Sequence, residues 1–227
     1  MFLCFVCLAV YTLNDPSVDV MQRDTKTGKT DGQITVILDP GHGGYDPGKV
    51  GINGALEKDI NLSIALRLKK LLEQNDIKVI MTRDTDSGLY SSGDSNKKAA
   101  DMRKRVDIIN NSKAVLVVSI HQNSYTSEAI KGAQVFYYTK SKSGEEFAKI
   151  MQSQLKETLQ DGNKREAKSN DSYYMLRKTD CPIIIVECGY LSNSREAALL
   201  LKDDYQEKLA WSIHLGIFRY LNTLENK

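Results

Sequence analysis

Apolar residues fall into an ordered rhythm from Ile34 onward. Ile34–Leu38 (ITVIL) is a short apolar run ending in Asp39-Pro40-Gly41, the pattern of a buried strand that runs into a loop. In Leu56–Gln74, residues Ile60, Ile64, Leu68, Leu71 and Leu72 recur at intervals of three and four and make one helical face. Glu57 and Asp59 fall in the first turn of that helix, where negative charge suits the helix dipole. Lys78–Met81 reads as a second strand and Asn96–Asn111 as a charged amphipathic helix. Ala114–Ile120 (AVLVVSI) is almost wholly apolar, as expected of a central strand covered on both faces. Val135–Tyr138 follows as a strand, Gly144–Leu159 as a helix, Ile183–Val186 (IIIV) as a buried strand and Tyr205–Leu221 as a closing helix.

This alternation predicts an α/β fold with a mainly parallel sheet and right-handed crossovers. In such sheets ligands bind outside the carboxyl ends of the strands. His42, His121 and Glu187 fall at or just past strand ends, and Glu57 opens the helix after the first strand. Residues far apart in sequence are thereby expected to converge on one rim.

Composition narrows the class without naming a chemistry. The 227 residues suit one domain with a short appendage, and 41% hydrophobic with 26% charged residues is ordinary for a globular protein. A net charge of +2 supplies no basic stripe for nucleic acid, and no fixed-period repeat marks a solenoid. Four cysteines, Cys4, Cys7, Cys181 and Cys188, do not form a disulfide framework. The last two flank one apparent strand, roughly 23 Å apart at about 3.3 Å per residue, which is beyond bridging range. Residues 1–33 read as a separate region: an apolar run, Phe2–Leu13, followed by a polar linker. That run is short for a bilayer span, which needs about 20 residues, and reads as the remnant of an export signal or membrane anchor. Residues 34–227 form the expected folded domain, which an export signal or anchor would place outside the cytoplasmic membrane.

The candidate chemistry rests on four side chains. His42 lies in a glycine-rich loop (LDPGHGGYDPGKVG), where glycines permit sharp turns and close backbone approach. Glu57 follows fifteen residues later, and SIHQNS places His121 directly off the most buried strand. Two imidazoles and one carboxylate suit a zinc ion with one open position, in which bound water reaches a pKa of about 7. Glu187, in IIIVECGYLSN, is free to accept a proton from that water and pass it to a leaving amine. A carboxylate after four apolar residues is costly to bury without such a role. His214 reads as a packed helix residue and Cys188 as a small buried one. The basic residues of Lys97–Arg105 read as one solvated helix face. Gly43–Lys49 fits the GxxxxGK spacing of a phosphate loop, but Val50 stands where Ser or Thr is required and Pro47 removes a backbone donor.

Taken together, DPGHGG, the LEKDINL helix opening, TRDTD at Thr82–Asp86, SIHQNS and VECGYLSN resemble the zinc-dependent N-acetylmuramoyl-L-alanine amidases (amidase type 3), in order over about Ile34–Leu221. The resemblance implies hydrolysis of the amide between muramic acid and the first alanine of peptidoglycan stem peptides. It also implies a three-layer α/β/α fold with a mixed sheet of about six strands. A short domain behind an N-terminal hydrophobic segment resembles the sporulation branch, which acts in spore-cortex maturation and germination; the resemblance makes residues 34–227 the catalytic domain and implies a place in the cell wall or the forespore intermembrane space. Some relatives carry an inserted helix that plugs the metal site. Asp84–Asn96 is too short and polar for one, so control through metal loading or a separate activator protein is expected. Arg83 in TRDTD is the weakest assignment, a contact to substrate. Two readings compete with the amidase: a two-histidine, one-carboxylate iron oxygenase, which leaves Glu187 unexplained, and a module that grips peptidoglycan without cutting it.

Overall fold

The computed structural model describes residues 33–226, so the apolar run, most of its linker, Cys4 and Cys7 lie outside the described residues. The chain order is β1 (Thr35–Pro40), α1 (Glu57–Glu73), β2 (Lys78–Met81), α2 (Lys97–Asn110), β3 (Leu116–Asn123), β4 (Gln134–Tyr137), α3 (Lys142–Leu159), β5 (Lys168–Ser169), α4 (Tyr174–Lys178), β6 (Ile183–Tyr190), α5 (Ser194–Leu199) and α6 (Asp203–Glu225). The six strands form one sheet in the order β2-β1-β3-β6-β4-β5. β2, β1, β3 and β6 run parallel, whereas β4 pairs antiparallel with β6 and carries β5 parallel to itself. The mixed, mainly parallel sheet expected from the sequence is therefore present.

Strand alternation sorts the side chains between two layers. Val36, Leu38, Leu116, Val118, Ile120, Ile184 and Val186 pack with α1, α3 and α6 into the larger core. Ile37, Val117, Ile183 and Ile185 pack on the other face with Val106 and Ile109 of α2 and Met175 and Leu176 of α4. Continuing that parity along each strand puts Asp39, Ser119, His121 and Glu187 on the α2/α4 side. Cys188 falls on the opposite side, inside the larger core, as a free thiol; Cys181 is also free.

Element ends follow local chemistry. The Asn96 side chain accepts from Ala99 N–H to start α2, and Ser141 Oγ accepts from Gly144 N–H at 3.0 Å to start α3. Gln160 closes α3 in the left-handed region, at φ 51°. Two strands run further than their apolar cores suggest. β3 continues to Asn123 and β6 to Tyr190, so His121 and Glu187 lie inside the ladder, paired in register, rather than past its end. A bulge between His121 and Asn123 then gives β6 one extra residue. β5, α4 and α5 have no counterpart in the hydrophobic pattern: two to six residues are too few to show a period.

α3 and α6 cross with Phe147 stacked on Tyr220, ring centroids 4.5 Å apart, and both side chains are fully buried. Phe147→Ala leaves a cavity at that crossing and is expected to cost about 3–5 kcal/mol, read as a lower urea midpoint at unchanged slope.

Candidate metal centre

The centre is built around one carboxylate. Glu57 is the first residue of α1, and the buried face of that helix (Ile60, Ile64, Leu68) fixes where the carboxylate points. Its Oε2 accepts from Lys49 N–H at 2.7 Å, and its Oε1 accepts from Gln122 N–H at 3.1 Å. His42 Nε2 lies 3.2 Å and His121 Nδ1 2.9 Å from the same Oε1. The rings meet edge to face with centroids 5.0 Å apart. Burial alone would raise the Glu57 carboxyl; hydrogen bonds and charge from His121 and His42 outweigh it and hold the group far below the usual carboxylate range. Burial likewise works to lower His121, and Glu57 more than reverses it.

The donor set fits a small divalent ion. One atom from each of His42, Glu57 and His121 lies within 4.8 Å of the others. Donors about 2.1 Å from a shared tetrahedral centre stand roughly 3.4 Å apart, close to the two spacings above. His42 Nδ1 donates to Asp46 Oδ2 at 2.8 Å, which leaves Nε2 as the nitrogen turned inward. Glycines make the approach possible. A Cβ on Gly41 would lie 2.2 Å from His121 Nε2, and one on Gly48 would lie 2.6 Å from both Glu57 Oε2 and His42 Cδ2.

Glu187 completes the group. It sits beside His121 in the ladder, and its Oε2 is buried with no hydrogen-bond partner. Burial pushes its carboxyl up to about 7, the charge of Glu57 adds to the rise, and His121 and His42 oppose it. Both carboxylates and both imidazoles line a cavity of about 330 Å³ whose far wall is Met102, Tyr173, Tyr174, Met175 and Ile185, with Lys98 at its edge.

A family profile described as N-acetylmuramoyl-L-alanine amidase matches residues 36–219. The chain belongs to the N-acetylmuramoyl-L-alanine amidase family. The germination-specific N-acetylmuramoyl-L-alanine amidase of Bacillus subtilis is 44% identical over 188 residues, which is 82% of this chain and 78% of that protein. Among solved structures, the CwlD amidase from Clostridioides difficile, in complex with the GerS lipoprotein, superposes with a TM-score of 0.81 at 41% identity, covering 84% of this chain and 99% of that one. The amidase AmiC2 of Nostoc punctiforme gives 0.73 at 34% identity, covering 84% and 98%.

In this amidase the loop that carries His42 hangs from two buried guanidinium groups. Arg105 Nη1 donates to Asp39 Oδ1 at 2.7 Å and to the carbonyl of Pro40, and Nη2 donates to the carbonyl of His42. Its Nε donates to Asp101 Oδ2 at 2.6 Å. Arg83 donates to the carbonyls of Pro40, Gly41, Lys58 and Thr85. Three successive carbonyls are thus turned inward, and His42 is held at φ 63°, a left-handed conformation that non-glycine residues avoid. This corrects two expectations. Arg83, expected as a contact to substrate, is 4% exposed, and backbone carbonyls occupy its guanidinium. The Lys97–Arg105 stretch is not uniformly solvated either, because Arg105 is 3% exposed. The signal for Arg105 was present in its spacing, since positions 102, 105, 106 and 109 share a helical face. His214 is buried on α6 between Trp211 and Phe218, among packing residues as expected.

Two outcomes follow from the brace. Arg105→Lys keeps the charge but loses the forked geometry, and is expected to weaken divalent-metal affinity about ten- to a hundredfold in a chelator competition, with the far-ultraviolet spectrum unchanged. Asp39 is fully buried; burial would raise its carboxyl, but the charge of Arg105 and hydrogen bonds from Ser119, Thr82 and Arg105 hold it at about 2, against 3.8 when free. The stabilisation is therefore complete above pH 3.8 and drains away as pH falls toward 2. Acid titration of the wild type should show about 2 kcal/mol lost through that window, and Asp39→Asn should flatten it.

Proposed function

We propose that His42, Glu57 and His121 hold one zinc ion and that Glu187 moves the proton in hydrolysis of the amide between N-acetylmuramic acid and L-alanine of peptidoglycan. The observation that carries this reading is the convergence of two imidazole nitrogens, from His42 and His121, on Glu57 Oε1, with a second carboxyl, Glu187, in register beside His121 and its buried Oε2 without a hydrogen-bond partner. Zinc bound there supplies Lewis acidity, which acidifies water and polarises a carbonyl.

The chain's own groups account for the rest. Glu187, raised to about 7 by burial, is poised to take a proton on Oε2 from the attacking water and return it to the leaving nitrogen as the C–N bond breaks. Asp46 fixes the His42 tautomer, and Lys49 and Gln122 backbone N–H groups keep the Glu57 carboxylate in place. Tyr173, Tyr174, Met102 and Met175 give the cavity beside Glu187 an aromatic and methionine wall against which substrate can pack.

The biological setting extends from the relatives. A germination-specific relative at 44% identity supports a role in the spore cortex. The similar Clostridioides difficile amidase was solved with a lipoprotein bound, which supports a separate activator for this chain. Asp84–Asn96 contains no helix that could plug the site, which fits control from outside the domain. A substrate in the cell wall requires the domain to work outside the cytoplasmic membrane. No helix among the described residues is long and apolar enough to cross a membrane. The apolar run Phe2–Leu13 is the segment we assign to export or tethering.

The decisive variant is Glu187→Gln. It should retain zinc by elemental analysis yet lose about 10²–10⁴ in kcat on purified peptidoglycan. In the wild type, kcat/KM should rise with pH as Glu187 ionises, with its acid limb at or below about pH 7, because a bound dication favours the carboxylate. Retained turnover in the zinc-loaded variant would remove Glu187 from the proton path. Iron in place of zinc in protein from metal-replete cultures would favour the oxygenase reading.

A further inference from the structure

A second cavity adjoins the metal centre. It encloses about 290 Å³ between the His42 loop and the start of α2, and its walls include Tyr45, Asp46, Tyr90, Lys97, Lys98 and Asp101. Lys98 lines both cavities, and its Nζ lies 3.5 Å from Asp46 Oδ2, the oxygen that holds His42 Nδ1. One ion pair therefore separates this space from the inner shell of the centre.

Two tyrosines and a lysine meet in the wall of this cavity. Lys97 Nζ lies 5.5 Å from the ring centroids of both Tyr45 and Tyr90. Tyr45 N–H donates to Tyr90 Oη at 2.7 Å, which ties the two residues together. Gly88 leaves room for the Tyr90 ring, since a Cβ there would stand 2.0 Å from its Cε1. Tyr45 is nevertheless 77% exposed, so one flat, amphipathic ring faces solvent at the mouth.

The reaction requires something in such a place. The scissile carbonyl belongs to a lactyl group ether-linked to the sugar, so the pyranose ring lies three bonds, roughly 4 Å, from the reacting carbon. Substrate must extend from the centre in two directions, sugar on one side and peptide on the other. The cavity that holds Glu187 has an apolar wall suited to an alanine methyl and a peptide backbone. The second cavity offers an aromatic plane for the C–H face of a pyranose. The Lys97 and Lys98 ammonium groups in its wall can donate to sugar hydroxyl and acetamido oxygens.

We infer that the Tyr45–Tyr90–Lys97 cavity is the amino-sugar subsite, with Tyr45 as the stacking platform that makes the enzyme select glycan-linked over free lactyl peptides. This rests on the amidase reading above and assigns the side of the centre on which the glycan lies.

The test compares two soluble substrates with zinc-loaded enzyme: a stem peptide on a GlcNAc–MurNAc disaccharide, and the same peptide carrying only an N-lactoyl group. Tyr45→Ala should reduce the ratio of kcat/KM between them about fivefold, mainly through KM, while Tyr45→Trp restores it. An unchanged ratio, or equal loss on both substrates, would overturn the subsite, because Tyr45 would then act only through the His42 loop or not at all. A separate arm titrates zinc-loaded Glu187→Gln protein with the peptide-free disaccharide and follows tyrosine ring resonances by NMR. Shifts at Tyr45 and Tyr90, weakened by adding Tyr45→Ala, support the subsite; shifts confined to the Tyr173–Tyr174 wall overturn it. If the wild type cleaves neither substrate, the amidase reading fails, and this arm still decides where the sugar sits.

Discussion

The ion pair between Asp39 and Arg105 is the constraint on which the rest of the centre depends. A buried pair is weak evidence for stability, because desolvation consumes much of its attraction. Its value here is geometric. Asp39 is anchored by Ser119 of the neighbouring strand and by Thr82, and Arg105 extends that anchor to the carbonyls of Pro40 and His42. Arg83 takes the carbonyl between them, at Gly41. Backbone carbonyls are strong acceptors that must be paired when buried. Two guanidinium groups with fixed forks can therefore dictate the path of three residues. A left-handed His42 is the consequence, and its ring faces Glu57 because the chain behind it has no freedom to turn elsewhere.

The sheet supplies the other half of the arrangement. Parallel strands bring their carboxyl ends to one rim, and parity selects which side chains on that rim share a layer. Asp39 pairs with Ser119, and His121 pairs with Glu187, all on the α2/α4 side. Extending β3 and β6 past their apolar cores matters for this reason. Inside the ladder His121 and Glu187 cannot drift apart, whereas in loops beyond it they could. The same parity sends Cys188 into the opposite core, which explains why a thiol next to Glu187 in sequence takes no part in the site.

Much of this was legible from sequence because it obeys short-range rules. Apolar periods located the longer helices and the strands, and the glycine-rich loop and the strand-end histidines marked the centre. Three kinds of feature escaped, each for a physical reason. α4 has five residues, too few to show periodicity, yet Met175 and Leu176 close the second core and Tyr173 and Tyr174 wall the cavity. Arg105 looked like one of many solvated cations, because charge density in a window conceals the helical face on which a residue falls. Arg83 looked like a substrate contact, because sequence cannot show whether a guanidinium meets solvent or a ring of carbonyls. In each case the deciding partner lies far away in the chain: Pro40 is 43 residues from Arg83 and 65 from Arg105.

The glycine-rich loop joins these layers. Gly41 makes room for His121, Gly48 makes room for Glu57 and His42, and Lys49 N–H then binds Glu57. Between the two glycines, Asp46 holds the His42 ring and Tyr45 turns outward toward Lys97. One short segment thus sets a ligand's position, its tautomer, the carboxylate it faces and the wall of the adjoining cavity. Such coupling makes the loop a poor place to alter substrate preference by changing its backbone. Tyr45 is the exception, because its ring projects into solvent while its backbone N–H, the part that holds the loop to Tyr90, is common to every residue but proline. Preference for the sugar can therefore vary at this position while the three donors keep their places.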